Sequence, residues 1–554
     1  MVRKSIISSI VVFAIAILMT GTGVAQEWVA RYDGSVNLRD WARAIAVDAD
    51  GNVYVTGSSD VFNDPYFADY STVSYDRDGN ERWVQRYDGS VNLRDWATAI
   101  AVDGDGNVYV TGGSYGDGTS SDYCTISYDS NGNERWVKRY DGPAYSDDSA
   151  RAIVVDGDGN VYVTGGSYGD GTSSDYCTIS YDSNGNERWV KRYDGPAYSD
   201  DSARAIVVDG DDNIYITGNS YYYGTWDYCT ISYDRDGNER WVQRYDGDAN
   251  HMDFARAIAV DADGNVYITG GSYGDGTSSD YCTISYDSNG NERWVKRYDG
   301  PAYSDDDAFA IVVDDVGNVY VSGYIRFKIS GFNRHEDYCT VSYDRDGNER
   351  WVKRYDGSGN DRAFAIGLDN SGNLYVTGES SVDGTLDYCT ISYDSDGNER
   401  WVQRYNGPGN NWDSAAAIAV DNNGNVYVTG KSLGYLTGYD FCTIKYASDP
   451  VTSLLRKAID TLEDLDDDDF KSGLLREMLS MRINSALSQY DKGFTNIALI
   501  QLKDKVIKKM DGCAKRGEPD AGFTLYENDW MITCDAQSDL YPLVAFVIDI
   551  LDFF

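Results

Sequence analysis

The feature that most constrains this chain is a segment that returns at a nearly fixed interval. Asp122-Tyr-Cys-Thr-Ile-Ser-Tyr-Asp-Ser-Asn-Gly-Asn-Glu-Arg-Trp136 recurs almost unchanged around Trp83, Trp189, Trp241, Trp294, Trp351 and Trp401. A partial copy, Glu27-Trp-Val-Ala-Arg-Tyr-Asp-Gly34, precedes them. Successive tryptophans lie 55, 53, 53, 52, 53, 57 and 50 residues apart. Such a period means stacked supersecondary units, none of which can bury a core alone. The repeats override the three or four separate domains that a chain of 554 residues would otherwise suggest.

From residue 26 to about 447 each unit holds four short runs rich in β-branched and aromatic residues, bounded by Gly, Asn and Asp. In the second unit these are Ala97–Asp103 (strand A), Asn107–Gly112 (B), Asp122–Asp129 (C) and Glu134–Tyr140 (D). The A–B link Asp103-Gly-Asp-Gly-Asn107 and the C–D link Asp129-Ser-Asn-Gly-Asn133 are tight hairpin turns. Four antiparallel strands form one sheet with two faces to cover. Packing such sheets radially covers both, which gives a β-propeller. The phase of the array indicates closure. Glu27–Asp33 matches strand D alone, while the last unit has A at Ala415–Asp421, B at Asn425–Gly430 and C at Asp440–Tyr446, and no D. The first segment should therefore complete the last blade and remove an open sheet edge. The Asp-x-Ala motif that opens strand A occurs at Asp40, Asp95, Asp148, Asp201, Asp253, Asp306, Asp361 and Asp413. The expectation is an all-β, eight-bladed propeller of four-stranded blades, followed by a small C-terminal α-helical domain.

The runs Ala-Ile-Ala-Val-Asp, Gly-Asn-Val-Tyr-Val-Thr-Gly and Thr-Ile-Ser-Tyr-Asp-x-x-Gly-Asn-Glu-x-Trp resemble the SBBP-type repeats, over roughly residues 26–447. That family's name implies seven blades, against the eight counted here. The resemblance implies a bacterial or archaeal surface or secreted protein and no particular activity. The Asp129-to-Trp136 run is also similar to the tryptophan motif of eight-bladed quinoproteins, but it is one residue shorter and no cofactor constellation accompanies it.

The flanks read differently. Residues 1–25 have a basic start (Arg3, Lys4), an apolar run from Ile6 to Met19 and a small-residue site, Gly23-Val-Ala25. This is the pattern of a secretory signal peptide, with no membrane span expected in the mature chain. The expected location is secreted, periplasmic or cell surface. Beyond Pro450, Val451–Leu465, Phe470–Tyr490, Phe494–Met510 and Ala536–Leu551 show helical spacing, placing a helical domain at 448–554. Its segment from Asp511-Gly-Cys513 to Cys534 is similar to a helical module at the C-termini of microbial surface proteins. Cys513 and Cys534 flank one loop of a secreted chain and are expected to form a disulfide. The seven cysteines that share one strand-C position, Cys124 to Cys442, are too far apart for bridges and are expected to be small buried residues.

The sequence has 48 Lys and Arg against 90 Asp and Glu, for a net charge of −42. Nucleic acid and anionic membranes are poor partners for such a surface. With 2 histidines, no nucleophile motif and carboxylates everywhere, no catalytic residue stands out. The Asp-rich tight turns, such as Asp48-Ala-Asp-Gly-Asn52, lack the later glutamate of a calcium loop and read as hairpin turns. Two other aspartates recur in every blade on the opposite face: the Asp-x-Ala residue, and the one opening strand C (Asp69, Asp122 and so on). Capping loop amides is the ordinary role of such residues. The alternative is a carboxylate ring at the channel mouth that holds cations such as Ca2+, with the Asp-x-Ala set as metal ligands.

The long B–C and D–A loops share that face and are rich in Tyr, Ser, Gly and Asp, as adaptable binding surfaces are. Tyr115, Tyr145, Tyr168, Tyr198, Tyr273 and Tyr303 should ring it. Three B–C loops depart from the repeat: residues 60–67, an aromatic one with Tyr221, Tyr222 and Trp226, and a basic one with Arg326, Lys328 and Arg334. The expectation is a monomeric, non-enzymatic binding protein that presents this face to a polysaccharide or surface protein. The alternatives are a glycan-acting enzyme using carboxylates near the channel mouth, and a structural envelope component.

Overall fold

The computed structural model describes residues 26–447 apart from short stretches of the long loops, a helix over 478–486, and residues 502, 506 and 544. Residues 1–25, Cys513, Cys534 and the first expected helix lie outside the described residues, as do the third and fourth expected helices apart from residues 502, 506 and 544. The helix over 478–486 falls inside the second expected helix and buries Leu479, Ile483 and Ala486 along one side.

Residues 26–447 form eight four-stranded antiparallel sheets, each in the order A, B, C, D. The last sheet takes its fourth strand from the start of the array: Gln26–Tyr32 pairs antiparallel with Tyr439–Tyr446, with Val29 opposite Ile444. The ring thus closes as the phase of the repeats requires. In the second blade the strands are Asp95–Val102, Val108–Tyr115, Ser121–Tyr128 and Glu134–Tyr140. Strand B runs farther than its sequence pattern suggests, so Tyr115 ends a strand instead of sitting in a loop. The supposed loops at 221–226 and 324–335 are also corrected. They are extensions of the B–C hairpin, as Ile214–Tyr222 with Thr225–Tyr233 and Val319–Ser330 with Asn333–Tyr343. Alternation accounts for the second case, because Ile325 is buried while Arg326 lies on the other side of the strand.

The core lies between blades. One cluster joins Tyr54, Tyr70 and Trp83 of the first blade to Val108, Val110, Cys124 and Ile126 of the second. Trp83 sits between Tyr54 and Tyr128, with centroids 5.9 Å from each. Its indole N–H donates to Ser130 O in the neighbouring C–D turn at 3.1 Å. A Cβ on Gly132, which has φ 84°, would come within 2.7 Å of that ring. The glycine therefore serves both the turn and the packing, which explains why Gly and Trp travel together in every repeat. Deeper in the sheet, Tyr70 Oη donates to Cys124 O of the next blade at 3.0 Å. Tyr123 does the same to Cys177 O. All seven strand-C cysteines are buried and unpaired. Burial pushes the Cys124 and Cys177 thiols up to about 12, so they remain protonated and inert.

Strand A lines the central channel and carries a bulge in each blade, as between Ala97 and Ala99. Opposite it the backbone comes close, and a Cβ on Gly112 would meet Trp96 O at 2.0 Å. The bulge sets one residue per blade apart from the ladder.

Candidate functional site

The tight turns and the long loops occupy opposite ends of the blades, and both are crowded with aspartate. At the turn end the carboxylates are saturated. Asp156 Oδ1 accepts the amides of Asp158 and Asn160 at 3.0 and 2.8 Å. Its Oδ2 accepts Asn160 Nδ2 at 2.8 Å and Tyr162 Oη at 2.9 Å. Asp48, Asp103, Asp261 and Asp421 repeat this pattern. All four lone-pair directions of these A–B turn carboxylates are used by the chain, while C–D turn aspartates such as Asp129 accept three hydrogen bonds.

At the loop end the Asp-x-Ala residues are buried, from Asp40 at 1% exposed to Asp413 at 0%. Each accepts a glycine amide from the preceding D–A loop: Gly34 for Asp40, Gly142 for Asp148, Gly407 for Asp413. In four blades the second oxygen also caps a strand-B or B–C amide, as Tyr168 N does to Asp148. In Asp40, Asp95, Asp201 and Asp253 no backbone amide reaches that oxygen, and the serine opposite in strand B (Ser59, Ser114, Ser220 or Ser272) is the donor beside the carboxylate. Burial pushes Asp40, Asp95 and Asp201 up to about 6 and Asp306 up to about 7.

The strand-C aspartates each meet an arginine of strand D. Arg139 Nη2 lies 2.8 Å from Asp122, and Arg31 Nη2 lies 2.7 Å from Asp440 across the ring closure. Arg139 also donates to Ser114 Oγ and Ser114 O, pinning strand D to strand B. A third carboxylate joins them, one the motif reading missed: the aspartate just after strand D. Asp122, Asp141 and Asp148 bring one oxygen each within 4.8 Å of the others, as do Asp69, Asp88 and Asp95. The signal was available, since Tyr-Asp-Gly follows strand D in almost every unit.

The expected ligand residues fare unevenly. Tyr145, Tyr198 and Tyr303 lie outside the described residues, as do the side chains of Lys328 and Arg334. Tyr115 and Tyr273 are half-buried and Tyr168 is exposed, each ending a strand B. Tyr221, Tyr222 and Trp226 form an aromatic hairpin, with Tyr221 and Trp226 centroids 5.4 Å apart in a T-shaped pair. Arg326 is occupied by Glu336 at 2.6 Å and Asp305 at 2.7 Å. Sequence reasoning also passed over the bulge positions of strand A. They carry Arg43, Arg151, Arg204 and Arg256, then Phe309 and Phe364. Arg256 pairs with Asp307 at 2.8 Å, whereas Arg43, Arg151 and Arg204 have no acidic partner among the described residues. Burial, with Arg151 and Arg256 nearby, pulls Arg204 down to about 10. A patch of cation thus lines one side of the channel in a strongly acidic protein.

The SBBP beta-propeller repeat family matches residues 31–64, 89–118, 135–171 and 400–436. An uncharacterized WD repeat-containing protein of Acanthamoeba polyphaga mimivirus is 24% identical over 454 residues, which is 65% of this chain and 32% of that protein. This chain therefore spans about a third of the length of that relative. Among solved structures, the polysaccharide lyase Uly1 aligns at TM-score 0.41 and 10% identity, over 66% of this chain and 93% of its own. A protein of unknown function from Dyadobacter fermentans aligns at TM-score 0.35 and 10% identity, over 58% of this chain and 99% of its own. Alignments this loose carry nothing about activity. The chain thus carries SBBP-type beta-propeller repeats in four matched segments, and its four-stranded sheets close into a β-propeller of eight blades.

Proposed function

We propose that this chain is a secreted, non-enzymatic binding propeller whose long-loop face holds a polysaccharide or a surface protein. One observation carries the reading. Among the described residues of the propeller, the exposed large hydrophobic ones are Leu93, Tyr168, Tyr223, Met252, Trp412 and Tyr435 on the long-loop side, against Val316 at the turns. Single exposed apolar residues need no explanation, but their collection on one end marks an interaction surface. Tyr223 is the foremost anchor. It is 86% exposed at the tip of the fourth blade's hairpin, in a left-handed conformation with φ 46°. Its ring lies 4.2 Å from that of Tyr222. Rigid aromatic rings supply contact area at low entropic cost, and their faces suit the C–H edges of sugar rings. The unpaired channel arginines add a place for an acidic group of the ligand. Near-identical repeats at 111–143 and 164–196 suit a surface that binds through several weak contacts at once.

The test is retention of the chain on a panel of immobilised neutral and uronate-bearing polysaccharides, with release of reducing ends followed in the same samples. Retention without release is expected, with Tyr223→Ala weakening it about tenfold or more. Release of reducing ends would replace this reading with an enzymatic one.

A further inference from the structure

Buried carboxylate oxygens without donors are costly, and this molecule repeats them at its blade junctions. At the junction that closes the ring, Asp440 opens strand C of the eighth blade, Asp33 follows the closing strand, and Asp40 opens strand A of the first blade. One oxygen of each lies within 4.8 Å of the others. The Oδ2 atoms of Asp440 and Asp40 are held by Arg31 and by the Gly34 amide, each at 2.7 Å. The Oδ1 atoms of Asp33 and Asp440 accept no hydrogen bond, although Asp440 is only 4% exposed, and buried Asp40 has the Ser59 hydroxyl beside it besides the Gly34 amide. Ser59 stands across the ladder from Asp40 and is itself buried, so its hydroxyl oxygen also faces the gap. Other junctions repeat the arrangement. Asp69 leaves Oδ1 without a donor at one, Asp122 at the next, and Asp194 at a third.

The chemistry of the gap is specific. Three carboxylate oxygens and a hydroxyl are hard donors, and two oxygens on one calcium ion stand up to about 5 Å apart. The strand-D arginine holds one oxygen of the strand-C carboxylate and leaves the other for an ion, as outer-sphere partners of metal ligands do. Two junctions depart from the pattern. In one, a side chain of the protein fills the gap: His335 Nε2 lies 2.9 Å from Asp337 Oδ1 and 3.2 Å from Asp356 Oδ1. In the other, between the last two blades, Asn406 replaces the middle aspartate and donates to Asn410 instead.

We propose that the three-aspartate junctions are calcium sites, each tying strand C and the D–A loop of one blade to strand A of the next. These ions would fix the roots of the long loops and neutralise part of the acidic ring.

The full chain, treated with chelator and returned to physiological salt, is titrated with calcium chloride, with bound ions counted by calorimetry and by elemental analysis. Several ions per chain are expected, with dissociation constants of about 10⁻⁴ M or tighter. Asp33→Asn combined with Asp440→Asn should remove one ion. Asn406→Asp, at an exposed loop position that tolerates substitution, should add one. Asp50→Asn, which deletes an exposed charge at a tight turn, should leave the number unchanged. No uptake by the unmodified chain would overturn the proposal. So would a count that ignores Asn406→Asp, or one that falls equally with Asp50→Asn, since both would mean diffuse attraction to an acidic surface.

Discussion

The two ends of each blade are built from the same residue and treat it in opposite ways. At the turn end, Asp129 and Asp182 are held below the usual carboxylate range by the side-chain amides of Asn133 and Asn186, with backbone amides adding to them. At the loop end, burial pushes Asp40, Asp69 and Asp95 up to about 6. The difference is in the supply of donors. A turn aspartate finds its partners two, four and six residues ahead, within its own hairpin. A junction aspartate depends on a loop from its own blade and a strand from the next. The turn end is therefore a local device that each repeat completes for itself. The loop end is completed only by assembly of the ring, and there the supply falls short.

The sharpest way to break this comparison is to remove one aromatic ring from each end. Trp136 bridges two blades at the turn end, donating to Ser183 O at 3.2 Å and packing against Tyr109 and Tyr181. Trp136→Ala should cost about 3–5 kcal/mol, read as a large drop in melting temperature. Tyr168→Ala, at an exposed strand end of the loop face, should stay within about 0.5 kcal/mol of the parent while weakening retention on the ligand matrix. Equal losses of stability would mean that the loop face is structural.

Changing one aspartate at each end gives a smaller effect but opposite signs. Asp156→Asn replaces an acceptor of four hydrogen bonds with a group that turns an amide toward Asn160 or Tyr162. The expected loss is about 2–4 kcal/mol in thermal or denaturant unfolding, with or without calcium. Asp201→Asn keeps an oxygen for the Gly195 amide, 2.6 Å away, and removes a buried charge that faces Asp194 and Asp175. In chelator it should leave stability unchanged or raise it. In calcium it should lower it, since a ligand is lost.

The turn end was legible in the sequence for the reason that it is local. Asp129, Gly132, Asn133 and Trp136 lie in one short run, and hairpin chemistry follows from their spacing. Blade count and ring closure were legible because the repeats carry a phase. The junction was only half legible. Asp122 and Asp148 stand out by recurrence, but their meeting with Asp141 and Arg139 depends on how strands C and D pair and on the next blade, which no single repeat encodes. The hairpin extension over 324–335 was obscured by Arg326, Lys328 and Arg334, whose charge suggests a loop. The alternation of Ile325 and Phe327 with Arg326 and Lys328 was the better signal.

The smallest expected effect is the pH dependence of stability, and it separates the two ends most cleanly. Asp40, Asp69, Asp95 and Asp201 have folded values of about 6, above the ordinary 3.8, so the folded chain holds protons that the unfolded chain releases. Their contribution is fully present below the unfolded value and is lost as pH rises through the folded one. In chelator the melting temperature should therefore fall between about pH 5 and about pH 7. Asp129 and Asp182 are shifted the other way, so their contribution is present above 3.8 and is lost as pH drops below it. The two windows do not overlap. Calcium should flatten the upper slope, because an ion then offsets the charge that ionisation creates, and should leave the acid limb as it was. Asp201→Asn should remove a fraction of the upper slope in chelator. A melting temperature in chelator that rises from about pH 5 to about pH 7 would mean that the junction carboxylates find donors in solution, and the contrast between the two ends would not survive it.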